Sequence, residues 1–243
     1  MNIYCRRFEL RNCGRFLTIS SDFGSKYKTN LFLTSEALYA GLTREITREP
    51  KYIDLKSDEY DFISTYNIKN FPIWFSPGMF VDKIHDKFLT KNKTTIDVNM
   101  FNVLDEDYPG TGGGKNRKSS PTYGSMETIL PNNYIVTYGV SADKRLLQSY
   151  NKDSIYLMGK KRTMFQITDL SEVMFCEILN SGKIVPTQVA RDDIIHFSEY
   201  NIHAITMRYL LISGYYNKEI FNCNFGDKQF SYPIDYVPKE ILQ

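Results

Sequence analysis

Three absences narrow the reading of this chain. Its four cysteines, Cys5, Cys13, Cys176 and Cys223, form no Cys-x-x-Cys pair, and its three histidines, His85, His196 and His203, complete no zinc spacing. The sequence therefore predicts free thiols, as in a reducing cytoplasm, and no metal centre. No apolar run approaches the roughly 20 residues of a membrane-spanning helix, and Asn2 to Arg15 is too charged for a secretion signal. The expectation is a soluble cytoplasmic protein with no membrane association. There is no GxGxxG element and no Walker A loop, because Gly112-Gly113-Gly114-Lys115 lacks the spacing and the following Ser or Thr. Nucleotide-cofactor binding is disfavoured, and no cofactor is expected.

An excess of one charge is also missing. Lysine and arginine number 30 against 28 acids, a net charge of +2. A protein that grips nucleic acid with its whole surface is more basic, so any such binding here must be local. What the chain does have is apolar mass. Hydrophobic residues make up 42% and aromatics 14% of 243 residues, enough for one large core. The 18 tyrosines suit both base stacking and protein interfaces.

The positive charge is concentrated. Pro109 to Gly124, PGTGGGKNRKSSPTYG, holds Lys115, Arg117 and Lys118 among glycine, proline and serine, with no acid. A second cluster, Lys160, Lys161 and Arg162, follows Gly159. Backbone that can approach closely, beside unpaired cations, suits a phosphate chain. The first stretch reads equally well as a solvated surface loop. Smaller pieces point the same way: Tyr4, Arg6 and Arg7 on a candidate first strand, Lys26-Tyr27-Lys28, and Tyr123. Aromatic faces stack single-stranded bases while cations hold phosphates. Tyr27 and Tyr123 are as readily packing residues, and Lys160 to Arg162 as readily a solvated hairpin turn.

Catalytic constellations are weak. Acids cluster at Asp58-Glu59-Asp61, Asp105-Glu106-Asp107 and Asp192-Asp193, which read as acidic turns rather than a magnesium site. His85 and His196 sit beside apolar neighbours and read as structural histidines. The expectation is a non-catalytic chain. A metal-independent endoribonuclease using His85 or His196 with Lys160 is the enzymatic alternative, and an RNA-free protein scaffold is the other.

Periodicity predicts strands at Asn2 to Leu10, Pro72 to Val81, Thr95 to Leu104, Tyr134 to Ser141, Ser154 to Met158 and Thr163 to Ile167. Further strands are expected at Glu172 to Asn180, Ile205 to Tyr215, Lys218 to Phe225 and Gln229 to Tyr236. A helix is predicted over Thr34 to Arg48, capped by Thr34 or Ser35 and stopped by Pro50, with Leu38, Leu42 and Ile46 on one face. Asp143 to Tyr150 suits a short helix, Ala190 to Ile195 a loop or turn, and Asp105 to Pro131 a long polar insertion. Few helices and many strands give an α+β chain on antiparallel sheet.

Read in order, the pieces resemble a known family. The order is IYCRRFEL, FLTISSDFGSKYKT, the helix TSEALYAGL, the strand TIDVNMFNVLDEDY, the basic glycine-rich segment ending in SPTYG, and SIYLMGKKRTMFQI. It is similar to the small handle-binding subunit of type I-D CRISPR effector complexes (Cascade), in the repeat-associated mysterious protein (RAMP) superfamily, over about the first two-thirds of the chain. This chain resembles a divergent member. Ser21-Asp22 stands before Gly24 where the family has Arg-Glu. Leu157 stands where the family has an arginine before the Gly-Lys pair, and Lys161 replaces an aromatic after it.

The resemblance implies a ferredoxin-like, RRM-like antiparallel sheet core in a single domain spanning residues 1–243. A β-hairpin thumb at about 105–124 would protrude from it, with additional strands over about 171–243. It implies an antiviral-defence role as an RNA-binding subunit of a ribonucleoprotein complex. Such a subunit holds the 5′ handle of the guide RNA, caps the backbone filament, contacts the large subunit and lies near the protospacer-adjacent motif of target DNA. The RNA-binding residues would be Arg6, Arg7, Lys26, Tyr27, Lys28, Lys115, Arg117, Lys118, Tyr123, Lys160, Lys161 and Arg162.

Overall fold

The structure, a computed structural model, describes residues 2–14, 26–27, 29–43, 68, 71–83, 87–88, 93–99, 123–158, 163–205 and 209–242. Over these residues the protein is mostly antiparallel β-sheet with few helices, an α+β chain.

The first strand, β1 (Tyr4–Asn12), is central to the largest sheet. It is flanked on one side by β9 (Tyr134–Ser141) and on the other by β11 (Thr163–Leu170), both antiparallel. Beyond β9 lies β5 (Gly78–Asp82), and beyond that β3 (Phe32–Leu33). Beyond β11 lies β10 (Ile155–Met158). The order across the sheet is thus β10-β11-β1-β9-β5-β3. Short strands β4 (Trp74–Phe75), β6 (Lys87–Phe88) and β12 (Met174–Phe175) pair with β9, β5 and β1 respectively.

Among the described residues two α-helices interrupt this sequence of strands. Helix α1 (Ser35–Leu42) lies in the chain between β1 and β5, and α2 (Lys144–Gln148) between β9 and β11. Each begins where a side chain can take up a free amide. Thr34 Oγ1 accepts from Ala37 N–H at 3.1 Å, and Asp143 Oδ1 from Arg145 N–H at 2.8 Å. Leu38, Tyr39 and Leu42 of α1 and Leu147 of α2 are fully buried in one core with Phe8, Phe75, Phe80, Ile135 and Phe165. Phe8 meets the rings of Phe75 and Tyr150 edge-on, at 5.5 and 5.1 Å.

Three smaller sheets are also present among the described residues. The hairpin of β7 (Lys93–Asn99) with β8 (Tyr123–Ile129) leaves the main sheet between β5 and β9, and β2 (Lys26–Tyr27) joins β8 in parallel. Strand β8 falls inside the expected polar insertion, where its threonine, serine and glycine content hid it. Residues 100–122, with most of the expected thumb, lie outside the described residues. Near the C-terminus, β13 (Glu177–Leu179), β17 (Ile220–Phe225) and β18 (Lys228–Pro233) form one sheet. A second is made by β14 (Gly182–Val189), β16 (Leu210–Tyr216) and β15 (Phe197–Ile205).

Strands β14 and β15 were not expected. Pro186 sits in β14 at a register shift between Ile184 and Thr187, where a missing N–H is tolerated. Strand β15 is almost wholly exposed, so it carries little apolar alternation. The expected strand Ile205 to Tyr215 divides into the end of β15 and β16. Arg191 to His196 forms a 3-10 helix. Helix α1 ends at Leu42, and residues 44–48 of the expected helix lie outside the described residues.

Gly41 lets α1 lie against β10. A Cβ there would overlap Met158 Cγ and meet its Sδ at 3.0 Å. Gly41→Ala gains about 1 kcal/mol of helix propensity but overpacks at about 1–3 kcal/mol. We expect a net loss of stability in denaturant unfolding, a loss that disappears when Gly41→Ala is instead made in a Met158→Ala background and compared with that variant. A more stable Gly41→Ala chain would contradict this packing.

Candidate nucleic-acid interface

Neighbouring residues on a strand project to opposite faces, so Arg6 and Arg7 cannot act together. Arg6 points to the helix side. Its Nε donates to Ser171 O at 2.8 Å, and one terminal nitrogen donates to Leu147 O at 2.7 Å and Tyr150 O at 3.1 Å. It closes the end of α2 and fixes the turn after β11. Burial lowers its pKa without discharging it.

Arg7 points to the other face and lines a groove of about 260 Å³. Apolar walls come from Met79 and Val81 of β5, Phe88 of β6, Val136 of β9, and Val185 and Pro186 of β14. Tyr138 of β9 and Lys228 and Gln229 of β18 add an aromatic ring, a cation and an amide. Arg7 is only 13% exposed. Its guanidinium faces Glu9 at 3.6 Å and Asp169 at 3.9 Å, distances of charge pairing rather than short hydrogen bonds. Its Nε is buried with no acceptor. The charge is compensated while donor capacity remains, beside an aromatic and a second cation. Such a groove can accept a carbonyl- or phosphate-bearing planar group.

A bulge in β1 shapes one end of this face. The register against β11 shifts between Glu9 and Leu10. Thr168 there donates to Glu9 Oε1 at 3.0 Å, and Lys83 donates to the same oxygen at 2.9 Å. Lys83 also lies 4.4 Å above the ring of Tyr134. Burial alone raises the Glu9 pKa. The hydrogen bonds and charges of Lys83, Thr168 and Arg7 outweigh it and hold the carboxyl below its ordinary 4.5.

The remaining expected contacts divide. The β2–β8 ladder sets Lys26 beside Ser125 and Tyr27 beside Met126, two and three positions from Tyr123, which pairs with Asn99. The backbone therefore gathers Lys26, Tyr27 and Tyr123 at one end of the hairpin sheet. Lys28, Lys115, Arg117, Lys118, Lys160, Lys161 and Arg162 lie outside the described residues. The last three fall in the link from β10 to β11, whose ladder ends at the pair Met158–Thr163. The sequence reading missed Tyr138, Lys228 and Gln229. Tyr138 is the cross-strand partner of Arg7 on β9, and Lys228 and Gln229 reach the same groove because β18 folds back over β9, which no local pattern announces.

Other groups named from sequence stand elsewhere. His196 ends the 3-10 helix and meets Tyr216 edge-on at 6.3 Å. Asp193 accepts from Tyr236 OH at 3.1 Å. His85, Asp58-Glu59-Asp61 and Asp105-Glu106-Asp107 lie outside the described residues. Among the described residues no helix is long and apolar enough to cross a membrane.

Two outcomes follow from this geometry. Arg6→Ala removes a charged donor from three carbonyls and should destabilise the fold by about 2–3 kcal/mol in urea unfolding; unchanged stability would show that Arg6 is not a structural clamp. Lys83→Met should cost about 0.5–1 kcal/mol at pH 7, since Lys83 is half exposed. The lowered Glu9 pKa means the pair's contribution is present above pH 4.5 and lost as pH falls through the folded value. The difference from the parent chain should therefore vanish in acid; a constant gap would place the effect elsewhere.

No family model matches the chain, and no curated protein matches it. Among solved structures it is similar to a chain in the cryo-EM structure of the Type III-B Cmr-beta bound to cognate target RNA. The two share 9% identity over 91% of this chain and 86% of that one, with a TM-score of 0.34, a loose likeness in chain path.

Proposed function

We propose that this protein is a non-catalytic RNA-binding subunit of a type I-D CRISPR Cascade-like antiviral complex, acting in the cytoplasm. It holds the 5′ handle of the guide RNA, caps the backbone filament and lies near the protospacer-adjacent motif of target DNA. The observation that carries the reading is topological. The order β11-β1-β9-β5, with α1 between β1 and β5 and α2 between β9 and β11, supports a reading as a ferredoxin-like, RRM-like core. The hairpin β7–β8 departs from this core between β5 and β9, where a thumb spanning about 105–124 would be mounted.

The sequence motifs fall on this frame. IYCRRFEL contributes to β1, and TSEALYAGL is the cap and body of α1. TIDVN lies on β7, Tyr123-Gly124 opens β8, and SIYLM and TMFQI contribute to the paired strands β10 and β11. Among the described residues Lys26, Tyr27 and Tyr123 share one end of the hairpin sheet, which supports this reading. In this reading Lys26, Tyr27, Tyr123 and the basic loop residues meet the handle, and Arg7 with Tyr138 and Lys228 lines a second contact on the sheet. The backbone and large subunits take up much of the remaining surface.

Co-expression with its neighbouring subunits, followed by sequencing of co-purified RNA, tests this. The expected result is short RNAs sharing one 5′ end. The change Lys160→Glu with Lys161→Glu should reduce RNA recovery at least tenfold and leave the unfolding midpoint in place. Unchanged RNA occupancy would sink the assignment, and cleavage of repeat RNA by the purified chain, abolished by His196→Ala, would replace it with a ribonuclease.

A further inference from the structure

Three of the four cysteines, silent in the sequence, converge in the fold. Cys5 lies on β1, Cys176 between β12 and β13, and Cys223 on β17. Their sulfurs all lie within 4.8 Å of one another. All three are buried, at 0%, 2% and 2% exposure, and none is in a disulfide. Cys13 stands apart, half-buried, with its thiol toward Arg11 O at 3.6 Å. The positions are held by backbone: Cys176 N–H donates to Ile3 O at 2.8 Å, Cys5 pairs with Met174, and the Cys223 thiol reaches Phe175 O at 3.5 Å.

We infer that Cys5, Cys176 and Cys223 form a binding site for one soft, thiophilic divalent cation of the zinc–cadmium class, which ties the central strand to the C-terminal strands.

The geometry and charge both favour this. Metal–sulfur bonds of about 2.3 Å place ligand sulfurs about 3.8–4.0 Å apart, so the observed cluster needs a contraction of under about 1 Å. Thiolate ligands select soft ions over magnesium or calcium. On binding, three S–H bonds break and three metal–sulfur bonds form. Three protons leave to solvent, and no electron is transferred. A divalent ion leaves a net charge of −1 on the site and a monovalent ion −2, and an apolar surrounding penalises the second more heavily. A disulfide would join only two of the three and would require an oxidant. Because the ligands come from β1 and from the final third of the chain, bound metal adds directly to folding stability.

The probe is cadmium, titrated into the reduced full-length chain without oxygen. We expect a thiolate-to-cadmium absorption band that saturates at one equivalent. The native mass should rise by one cadmium less two hydrogens, as the charge of a divalent ion requires, while up to three protons appear in the buffer, and the melting temperature should rise and return on adding chelator. Cys223→Ser should lose the band, and Cys13→Ser should keep it. Should Cys223→Ser fail to fold, the mass and proton release of the parent chain decide alone. No band, no bound ion in the native mass, or a band lost with Cys13→Ser would overturn the site and leave three thiols as small core side chains.

Discussion

The structure depends on one constraint: β1 is covered on both faces while carrying three charged residues in a row of four. Arg6, Arg7 and Glu9 sit on a strand whose Cys5, Phe8 and Leu10 are fully buried. Charges in such a place are tolerated only when they are matched. Each is matched at least in part by chain that arrives much later. Arg6 takes three carbonyls from around α2 and the end of β11. Glu9 takes Lys83 and Thr168. Arg7 takes Glu9 and Asp169. The central strand can therefore settle only once β5, β9 and β11 are in place, which links local register to the whole sheet.

The same constraint explains which parts of the molecule were legible. Strand β9 is delimited by its alternation and matches its sequence bounds at Tyr134 and Ser141. Both helix starts follow from Thr34 and Asp143, because capping is a local interaction between residues two or three apart. The turn before β9 was less visible. Asn132 adopts φ 63, and the turn is fastened by Asn12, whose side chain takes Asn133 N–H at 2.7 Å and gives to Leu130 O at 2.9 Å. That partner lies on β1, beyond any sequence window.

Function was less legible than fold for a related reason. An arginine on a strand looks the same whether it holds a phosphate or a backbone carbonyl. Arg6 and Arg7 read alike in sequence, yet alternation sends them to opposite faces, one into a carbonyl cage and one into a groove. The cysteines mislead in the other direction. Their spacing suggests nothing, because their convergence is produced by the return of β17 and β12 to β1. Close sequence spacing finds sites built on one turn and misses those assembled from distant strands.

The C-terminal strands set the last term. Tyr138 stacks on Phe230 of β18 at 4.3 Å with 20° between planes, and Phe225 approaches the same ring at 5.7 Å. Gln188 of β14 accepts from Ser35 N–H at 2.6 Å and donates to Glu36, so these strands also grip the start of α1. The face of β9 away from α1 and α2 is thus largely occupied by the chain itself. What remains there is the groove at Arg7, large enough for about one planar group. Under the proposed role, a guide RNA would meet the protein chiefly at the hairpin sheet of β7, β8 and β2, with the groove able to take one further group. Such a division would be consistent with a net charge of only +2, since cations would be needed only locally.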